Sequence, residues 1–406
     1  MTETGLEPFI GTVPTTSTGR YLVTLRDGPE SKSRVLHDSA GLRAASNMDL
    51  PSPVEREVLG GIDGVVYENI GIAVVDVDPE QKFALARAVW DEANPILAVE
   101  PEMYGHALNH VTQARATGIA TPYADSLYFT WGLQATGVTT THGNASNIRI
   151  AVLDSGFDLA HPDFLGRNPL ARSFVPGVSS VQDGFGHGTH VIGTCCGPRR
   201  VNSHSRAYGI ANDAALLVGK VLDDDGGYQD EWVIAGISWA LANGADIISM
   251  SLGAFVFSGM GHVTAYEHIA NKALDAQCLV IAAAGNTRNG AVYSPANCPS
   301  ILAVGAVDRR LDLANFSSIG INPNGGEVNL LGPGVEVHSS RPMTARYGMM
   351  QGTSMATPHV SGCAALWAQA TGLRGRALWE QLKASARPIG LPTQQGGAGL
   401  VQAPQL

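Results

Sequence analysis

Five short apolar runs, each ending in Asp, Gly or Asn, constrain the fold of this chain more than any other feature. In chain order they read IRIAVLD, ALLVGKVLD, ADIISMSLG, CLVIAAAGN and ILAVGAVD. Runs this continuously apolar are expected of parallel strands covered on both faces. The segment DEWVIAGISWALANG, between the second and third runs, has helical spacing and ends in Gly, as a crossover helix does. The pattern predicts an α/β fold: a doubly wound, mostly parallel sheet with helices on both faces.

The length of the chain leaves room for a second domain before this sheet. The chain has 406 residues, which is enough for two domains. Residues 1–19 are rich in Thr, Gly and Pro and predict a flexible lead-in. Residues 20–108 follow the order strand, helix, strand, strand, helix, strand, which is typical of a small α+β, ferredoxin-like domain. Residues 109–130 are polar and predict a linker, so that residues 131–406 form the α/β body.

The charge of the chain bears on its partners. A net charge of −10 opposes binding to nucleic acid or to an anionic membrane, because both require a basic protein face. No apolar stretch of about eighteen residues predicts a membrane span. The first twenty residues show no basic start followed by an apolar run, so no signal peptide is visible. We therefore expect a cytoplasmic protein, with secretion as the alternative.

The five cysteines are expected to be small buried side chains. Their number is odd and none belongs to a C-x-x-C pair, which argues against a disulfide framework and against a zinc cage. A single bridge, for example between Cys278 and Cys298, is left open. The cysteines are Cys195, Cys196, Cys278, Cys298 and Cys363.

Three polar residues stand where chemistry is expected in such a sheet. Asp154 ends the first apolar run, His187 begins a small-residue helix in DGFGHGTHVIGTCCG, and Ser354 begins another in QGTSMATPHVSG. Taken singly, the aspartate and serine would be turn and helix caps. A metal pair of His187 and His190 lacks the glutamate of H-E-x-x-H, and the glycines of GFGHG do not fit a phosphate-binding G-x-G-x-x-G. The chain order Asp, His, Ser is instead that of a serine protease triad.

Three longer segments resemble the signature blocks of the subtilisin-like serine proteases. They are AVLDSGFDLAHPDF, GHGTHVIGT and GTSMATPHVSG, with SMSLG and AAAGN between them in the family's order. The resemblance implies a serine endopeptidase in which His187 takes the proton of the nucleophile Ser354 while Asp154 orients the imidazole. It also implies that Asn286 and the helix N-terminus at Ser354 donate to the oxyanion. The resemblance covers about residues 130–406.

The resemblance further implies two substrate-binding segments. Substrate would add as a β-strand along an edge formed by Ser251, Leu252 and Gly253. One wall of the primary specificity pocket would consist of Ala283, Ala284 and Gly285. Residues 293–300, YSPANCPS, resemble the opposite wall and are closer to the proteinase K pattern than to other subtilisins. This pocket implies a large apolar residue before the scissile bond.

Residues 20–108 resemble the propeptide of the family, which acts as folding chaperone and intramolecular inhibitor. The segment AVEPEMYGHAL carries this resemblance. We therefore expect a zymogen that cleaves itself between Leu108 and Asn109. A structural N-terminal domain without this role is the alternative.

The resemblance requires no cofactor, and it implies at most a structural calcium ion bound by Asp163 in HPDF. The loop expected to complete that site, GPRRVNSHSRAYG, carries three arginines, which oppose a divalent cation. We therefore expect no strong calcium site there. His190 and His359 are expected to be structural. Polypeptides are the expected substrates, and two other functions stay open: a non-catalytic binding protein on a protease fold, and an enzyme that joins peptides by passing the acyl group to an amine.

Overall fold

The structure is a computed structural model that describes residues 17–48, 61–108, 122–200, 205–257 and 259–405. Its strands are β1 (Ser17–Leu25), β2 (Ala44–Ser46), β3 (Gly64–Tyr67), β4 (Ile72–Val75), β5 (Ile96–Ala107), β6 (Arg149–Asp154), β7 (Leu170–Ser173), β8 (Ala215–Lys220), β9 (Gly227–Gln229), β10 (Ile247–Met250), β11 (Leu252–Gly253), β12 (Leu279–Ala283), β13 (Leu302–Val307), β14 (Leu330–Pro333), β15 (Val337–Ser340) and β16 (Tyr347–Met350). Its helices are α1 (Lys32–Ala40), α2 (Pro79–Trp90), α3 (Trp131–Ala135), α4 (His187–Cys196), α5 (Asp230–Ala242), α6 (Thr264–Asp275), α7 (Thr353–Thr371), α8 (Gly375–Ser385) and α9 (Thr393–Gly396).

The N-terminal domain is an antiparallel sheet covered by two helices. β1 lies between β4 and β5 and is antiparallel to both, β3 is antiparallel to β4, and the short β2 runs parallel to β3. α2 begins with a capping box, in which Asp78 and Gln81 each accept a backbone hydrogen bond from the other. The predicted small α+β domain is confirmed. β1 begins at Ser17, so the last three residues of the predicted lead-in belong to this strand, and Ser17 pairs with Met103 of β5; residues 1–16 lie outside the described residues.

The larger domain is built on a seven-stranded parallel sheet in the order β14, β13, β12, β10, β6, β8, β7. Successive side chains of β6 enter different cores: Ile150 and Val152 pack with α4 and α7, whereas Ala151 and Leu153 pack with α5 and α6. Because both faces are covered, the strands need no polar side, which explains their continuous apolar sequences. The predicted doubly wound α/β fold is confirmed.

Residues 122–130, predicted as the end of a linker, are held against the body. The carboxylate of Asp125 accepts from the backbone N–H of Trp131 at 2.8 Å and pairs with Arg309 at 3.1 Å. Phe129 forms a β-bridge with Ala207. Polar composition does not reveal such long-range partners. Residues 109–121, the rest of the predicted linker, lie outside the described residues.

The five cysteines are free and buried, and no bridge joins Cys278 to Cys298. Burial raises the pKa of Cys278 and of Cys298. Within the described ranges, no helix is long and apolar enough to cross a membrane.

One of the hydrophobic cores contains residues of both domains. Leu22 and Tyr67 of the N-terminal sheet belong to the same cluster as Trp232 of α5 and Tyr266 of α6. β5 extends beyond the N-terminal sheet, and its second half pairs with β9 and β11 of the larger domain. The N-terminal domain is therefore fixed to the face of the body on which α5 and α6 lie.

Candidate active site

Asp154 and His187 form a buried pair at the carboxyl end of β6. Asp154 is the last residue of β6, and His187 is the first residue of α4. Nδ1 of His187 lies 2.7 Å from Oδ1 of Asp154, and both side chains are buried. A carboxylate at this distance fixes the ring orientation and favours the tautomer with the proton on Nδ1. The other ring nitrogen, Nε2, has no hydrogen-bond partner among the described residues.

Close backbone packing brings these two elements together. Gly156 has a φ of 107°, in the left-handed region, and a Cβ on Gly188 would lie less than 3.0 Å from the backbone oxygen of Gly156. Larger residues would therefore push the start of α4 away from the end of β6.

Asp183 holds the turn before His187, a role that the sequence did not reveal. Its carboxylate accepts from the hydroxyl of Ser155 at 2.8 Å, from Gly186 N at 2.6 Å and from Thr189 N at 2.8 Å. The hydroxyl of Ser155 in turn accepts from Gly188 N at 2.8 Å. Asp183 thus satisfies backbone donors at the N-terminus of α4. No local pattern in the sequence marks Asp183 for this role.

Ser354 lies in the first turn of α7 and is fully buried. Its hydroxyl donates to the carbonyl oxygen of Ser251 at 2.9 Å, and the hydroxyl of Ser251 donates back to the carbonyl of Ser354 at 2.9 Å. The structure therefore places the serine at a helix N-terminus, as predicted, with its hydroxyl directed at Ser251 and not at His187. The N-terminal end of the helix favours negative charge at this position.

Asn286 is held so that its amide group faces the end of β5. Its Oδ1 accepts from the backbone N–H and from the hydroxyl of Thr353, both at 3.0 Å. Its Nδ2 donates to the carbonyl oxygen of Leu108 at 2.8 Å. The side chain thus connects the start of α7 to the end of the N-terminal domain.

The end of β5 lies as a strand between two edges of the body. On one side Ala107 and His106 pair with Leu252 and Gly253 of β11, so two of the three predicted edge residues contact a bound strand. The third, Ser251, accepts from the N–H of Leu108 at 3.3 Å. On the other side Tyr104, Gly105 and His106 pair with β9. This second edge was missed, because β9 is only three residues long and its sequence GYQ gives no strand pattern.

The side chain of Leu108 is buried beside Gly253, one of the predicted substrate-edge residues. Leu108 is 6% exposed, and a Cβ on Gly253 would lie 3.2 Å from its Cδ1. Residues 293–300 are joined to the predicted pocket wall, because Tyr293 N donates to Ala284 O at 2.9 Å, and Ser294 pairs with Ala254. Ala283 and Ala284 are fully buried. Gly285 has a φ of 110°, and a Cβ there would strike the ring of Tyr293. Asn109 lies outside the described residues.

The other two histidines of the motifs are bound to backbone carbonyls. His190 Nε2 lies 2.9 Å from the oxygen of Val337, and His359 Nδ1 lies 2.8 Å from the oxygen of Met355. Burial lowers the pKa of His190 to about 3 and that of His359 to about 4. Both rings are therefore neutral and serve packing.

The surroundings of Asp163 do not fit a calcium ion. Its carboxylate accepts from the hydroxyl of Tyr208 at 2.7 Å and from that of Tyr347 at 2.9 Å, and the guanidinium of Arg346 lies 3.8 Å away. Hydroxyl donors and a cation already occupy the positions that a divalent ion would need. In the part of the chain that the structure describes, no group of three or more His, Cys, Asp or Glu residues is arranged to hold a metal.

Comparison with known proteins agrees with this geometry. Residues 145–396 match the model of the subtilase family. Subtilisin NAT of Bacillus subtilis subsp. natto is 38% identical over 288 residues, which cover 70% of each chain. An alkaline protease of Alkalihalobacillus alcalophilus is 33% identical over 361 residues, 86% of this chain and 88% of that protein. Subtilisin Savinase of Lederbergia lenta is 36% identical over 277 residues, 67% of this chain and 96% of that protein. The chain belongs to the subtilase family and is a subtilisin-like serine endopeptidase, a hydrolase of polypeptides.

Proposed function

We propose that Ser354, His187 and Asp154 are the catalytic triad and that Asn286 stabilises the oxyanion. Ser354 attacks the carbonyl carbon of the substrate while Nε2 of His187 takes its proton. Asp154 stabilises the resulting imidazolium through the 2.7 Å contact to Nδ1. The attack requires the Ser354 hydroxyl to turn from Ser251 toward His187, whose Nε2 has no competing partner among the described residues. The C–N bond of the substrate then breaks as His187 gives the proton to the leaving amine, and water hydrolyses the acyl-serine with His187 again as the base.

The observation that carries this proposal is the hydrogen bond from Asn286 Nδ2 to the carbonyl oxygen of Leu108. During attack, negative charge develops on the carbonyl oxygen, and this donor lies 2.8 Å from the carbonyl oxygen of a bound strand. The N–H of Leu108 and the hydroxyl of Ser354 donate to the same acceptor, the oxygen of Ser251. Ser354 and Leu108, the proposed nucleophile and the residue whose carbonyl it attacks, are therefore both hydrogen-bonded to the backbone oxygen of Ser251.

We further propose that the enzyme cleaves its own chain between Leu108 and Asn109. Residues 20–108 are then the propeptide, which inhibits by leaving its last strand in the substrate site, and residues 131–406 are the catalytic domain. The pairing of β5 with both β9 and β11 supports this arrangement, because the added strand blocks the site for other chains. Burial of Leu108 supports a preference for a large apolar residue before the scissile bond. The likeness of residues 293–300 to proteinase K stays a prediction.

The intact mass of the purified chain tests the proposal. The wild-type chain should lose about a hundred N-terminal residues, and Ser354→Ala should remain whole because it lacks the nucleophile. N-terminal sequencing of the processed form should begin at Asn109. Processing of both chains at the same site would show that another protease cuts them.

A whole wild-type chain would contradict self-processing but not the protease activity. Hydrolysis of casein separates these two possibilities. Hydrolysis by the wild-type chain and none by Ser354→Ala would retain the assignment of the nucleophile, whereas equal hydrolysis by both would refute it.

A further inference from the structure

Gly105 lies against a side chain that leaves it no space. It pairs directly with Tyr228 in the antiparallel ladder between β5 and β9. A Cβ built on Gly105 would come within less than 3.0 Å of three atoms of Tyr228, Cζ, Oη and Cε1. Real Cβ atoms do not approach other atoms this closely, so either the ring or the strand would have to move.

Backbone geometry does not explain the glycine. Gly105 has extended strand geometry and does not belong to the glycines with positive φ. Any residue adopts such a conformation without strain. The requirement for glycine therefore comes from the space that the tyrosine ring fills.

The ring of Tyr228 is packed in a core when β5 is in place. It is then 2% exposed and belongs to the cluster that contains Trp232 and Tyr266. Burial raises the pKa of its phenol, so the group stays neutral. A side chain in place of Gly105 would have to displace this ring from the cluster, at a cost typical of an overpacked core.

The neighbouring positions of β5 carry no such limit. Tyr104 and His106 are exposed, whereas Gly105 between them is buried. Counted back from the proposed cleavage site after Leu108, Gly105 is the fourth residue. Among residues 104–106, only the position of Gly105 therefore limits the size of the side chain.

We propose that Tyr228 is a specificity-determining residue that restricts the fourth residue before the scissile bond to glycine. This inference rests on the proposed function, because it treats the end of β5 as a bound substrate. Polypeptides with glycine at that position and leucine at the cleavage site form the preferred substrate class. Larger side chains would meet the ring and lower productive binding.

Four peptides test the proposal with the processed enzyme. They are the acetylated p-nitroanilides of Gly-His-Ala-Leu, Ala-His-Ala-Leu, Leu-His-Ala-Leu and Gly-Ala-Ala-Leu, which report cleavage after leucine alone. We expect kcat/KM to fall about tenfold or more when the fourth residue changes from glycine to alanine, and further with leucine. The third residue before the scissile bond corresponds to the exposed His106. Changing it from histidine to alanine should alter kcat/KM much less.

Two variants assign the effect to the ring. Tyr228→Ala should reduce or reverse the preference for glycine over alanine, whereas Tyr228→Phe, which retains the ring, should keep it. The preference is a ratio measured on one preparation, so a lower yield of folded enzyme does not affect it. If Tyr228→Ala fails to fold, the peptide series with the parent enzyme still shows whether glycine is preferred at the fourth position.

The possible outcomes separate the inference from the proposed function. Cleavage of the glycine and alanine peptides by the parent enzyme at equal rates would overturn the selection by Tyr228 and leave the protease assignment intact. An unchanged ratio in Tyr228→Ala would overturn the role of the ring. Failure of the processed chain to cleave both peptides and casein would overturn the proposed function together with the inference.

Discussion

Asn286 shows how a single residue is prepared for its task. Its oxygen is fixed by two donors of Thr353, so its amide group can only face away from α7, toward Leu108. A donor that is already in position does not need to reorganise when negative charge develops on the carbonyl oxygen. In its proposed oxyanion role, we therefore expect Asn286 to influence the transition state more than ground-state binding.

Replacing Asn286 with alanine should lower kcat by about 10²- to 10³-fold with a much smaller change in KM, a magnitude measured on subtilisin, a member of this family. Steady-state hydrolysis of acetyl-Gly-His-Ala-Leu-p-nitroanilide measures both constants. Thermal unfolding provides the control, because loss of the Thr353 contacts also affects stability. A folded variant with unchanged kcat would remove Asn286 from the oxyanion site.

Sequence reasoning found the residues of the site that long motifs contain and missed those that depend on remote partners. Asp154, His187 and Ser354 each belong to a segment whose glycines and small residues mark a strand end or a helix start. Asp183 and Tyr228 act through contacts that no local pattern specifies: Asp183 satisfies the N-terminus of α4, and Tyr228 fills space beside a strand from another domain.

At the level of elements, β5 carries the contact between the domains. Its side chains satisfy the first N–H groups of two helices of the body: Glu102 accepts from Glu231 N at 2.9 Å in α5, and Glu100 accepts from Thr264 N at 2.8 Å in α6. Arg20 of β1 bridges Glu102 and Glu231. Carboxylates at helix N-termini are favourable, because they meet unsatisfied donors and the positive end of the dipole.

Asp230 makes this contact sensitive to pH. Burial, opposed by hydrogen bonds from Tyr266 and from Met103 N and aided by the nearby Glu102 and Glu100, raises its pKa from 3.8 to about 7. Between these two values the folded state binds more protons than the unfolded state. The stability contributed by protonated Asp230 is therefore lost as the pH rises from about 4 to about 7.

The melting temperature of Ser354→Ala, which cannot digest itself, should fall between pH 5 and pH 8, and Asp230→Asn in that background should reduce the fall. The amide retains an oxygen for Met103 N and can donate to Tyr266, so it replaces the protonated acid. The difference corresponds to about 2–4 kcal/mol of unfolding free energy. Equal slopes for both chains would show that Asp230 does not titrate in this range.

The elements that sequence predicted are those whose pattern is local. The parallel strands of the body are apolar on both faces because helices cover both faces, and that pattern is visible in any one of them. Two features of the structure have no such local pattern: the pairing of Ser17 with β5 and the short strand β9. Ser17 pairs with Met103, which is far away in the chain, and β9 receives its partners from β5 of the other domain, so the sequences of these segments alone do not show the pairing.

At the scale of the whole molecule, buried polar clusters join segments that are far apart in the chain. One of them surrounds Asp163, which is 3% exposed and connects the turn at residues 162–164 to Tyr208 and to Tyr347 of β16. β16 leads directly into α7, which carries Ser354. The cluster therefore holds the first residue of β16, and the other end of this strand leads to the proposed nucleophile.

Because this carboxylate is already satisfied, calcium should not act through it. Any change in melting temperature that calcium or EDTA causes should be the same in Ser354→Ala and in Asp163→Asn combined with Ser354→Ala. The added Asp163→Asn change should itself destabilise the chain by about 1–3 kcal/mol, because it weakens charge-assisted bonds to two tyrosines. A stabilisation by calcium that is present in Ser354→Ala and absent in the double variant would show that Asp163 binds the ion and that the tyrosines move aside for it.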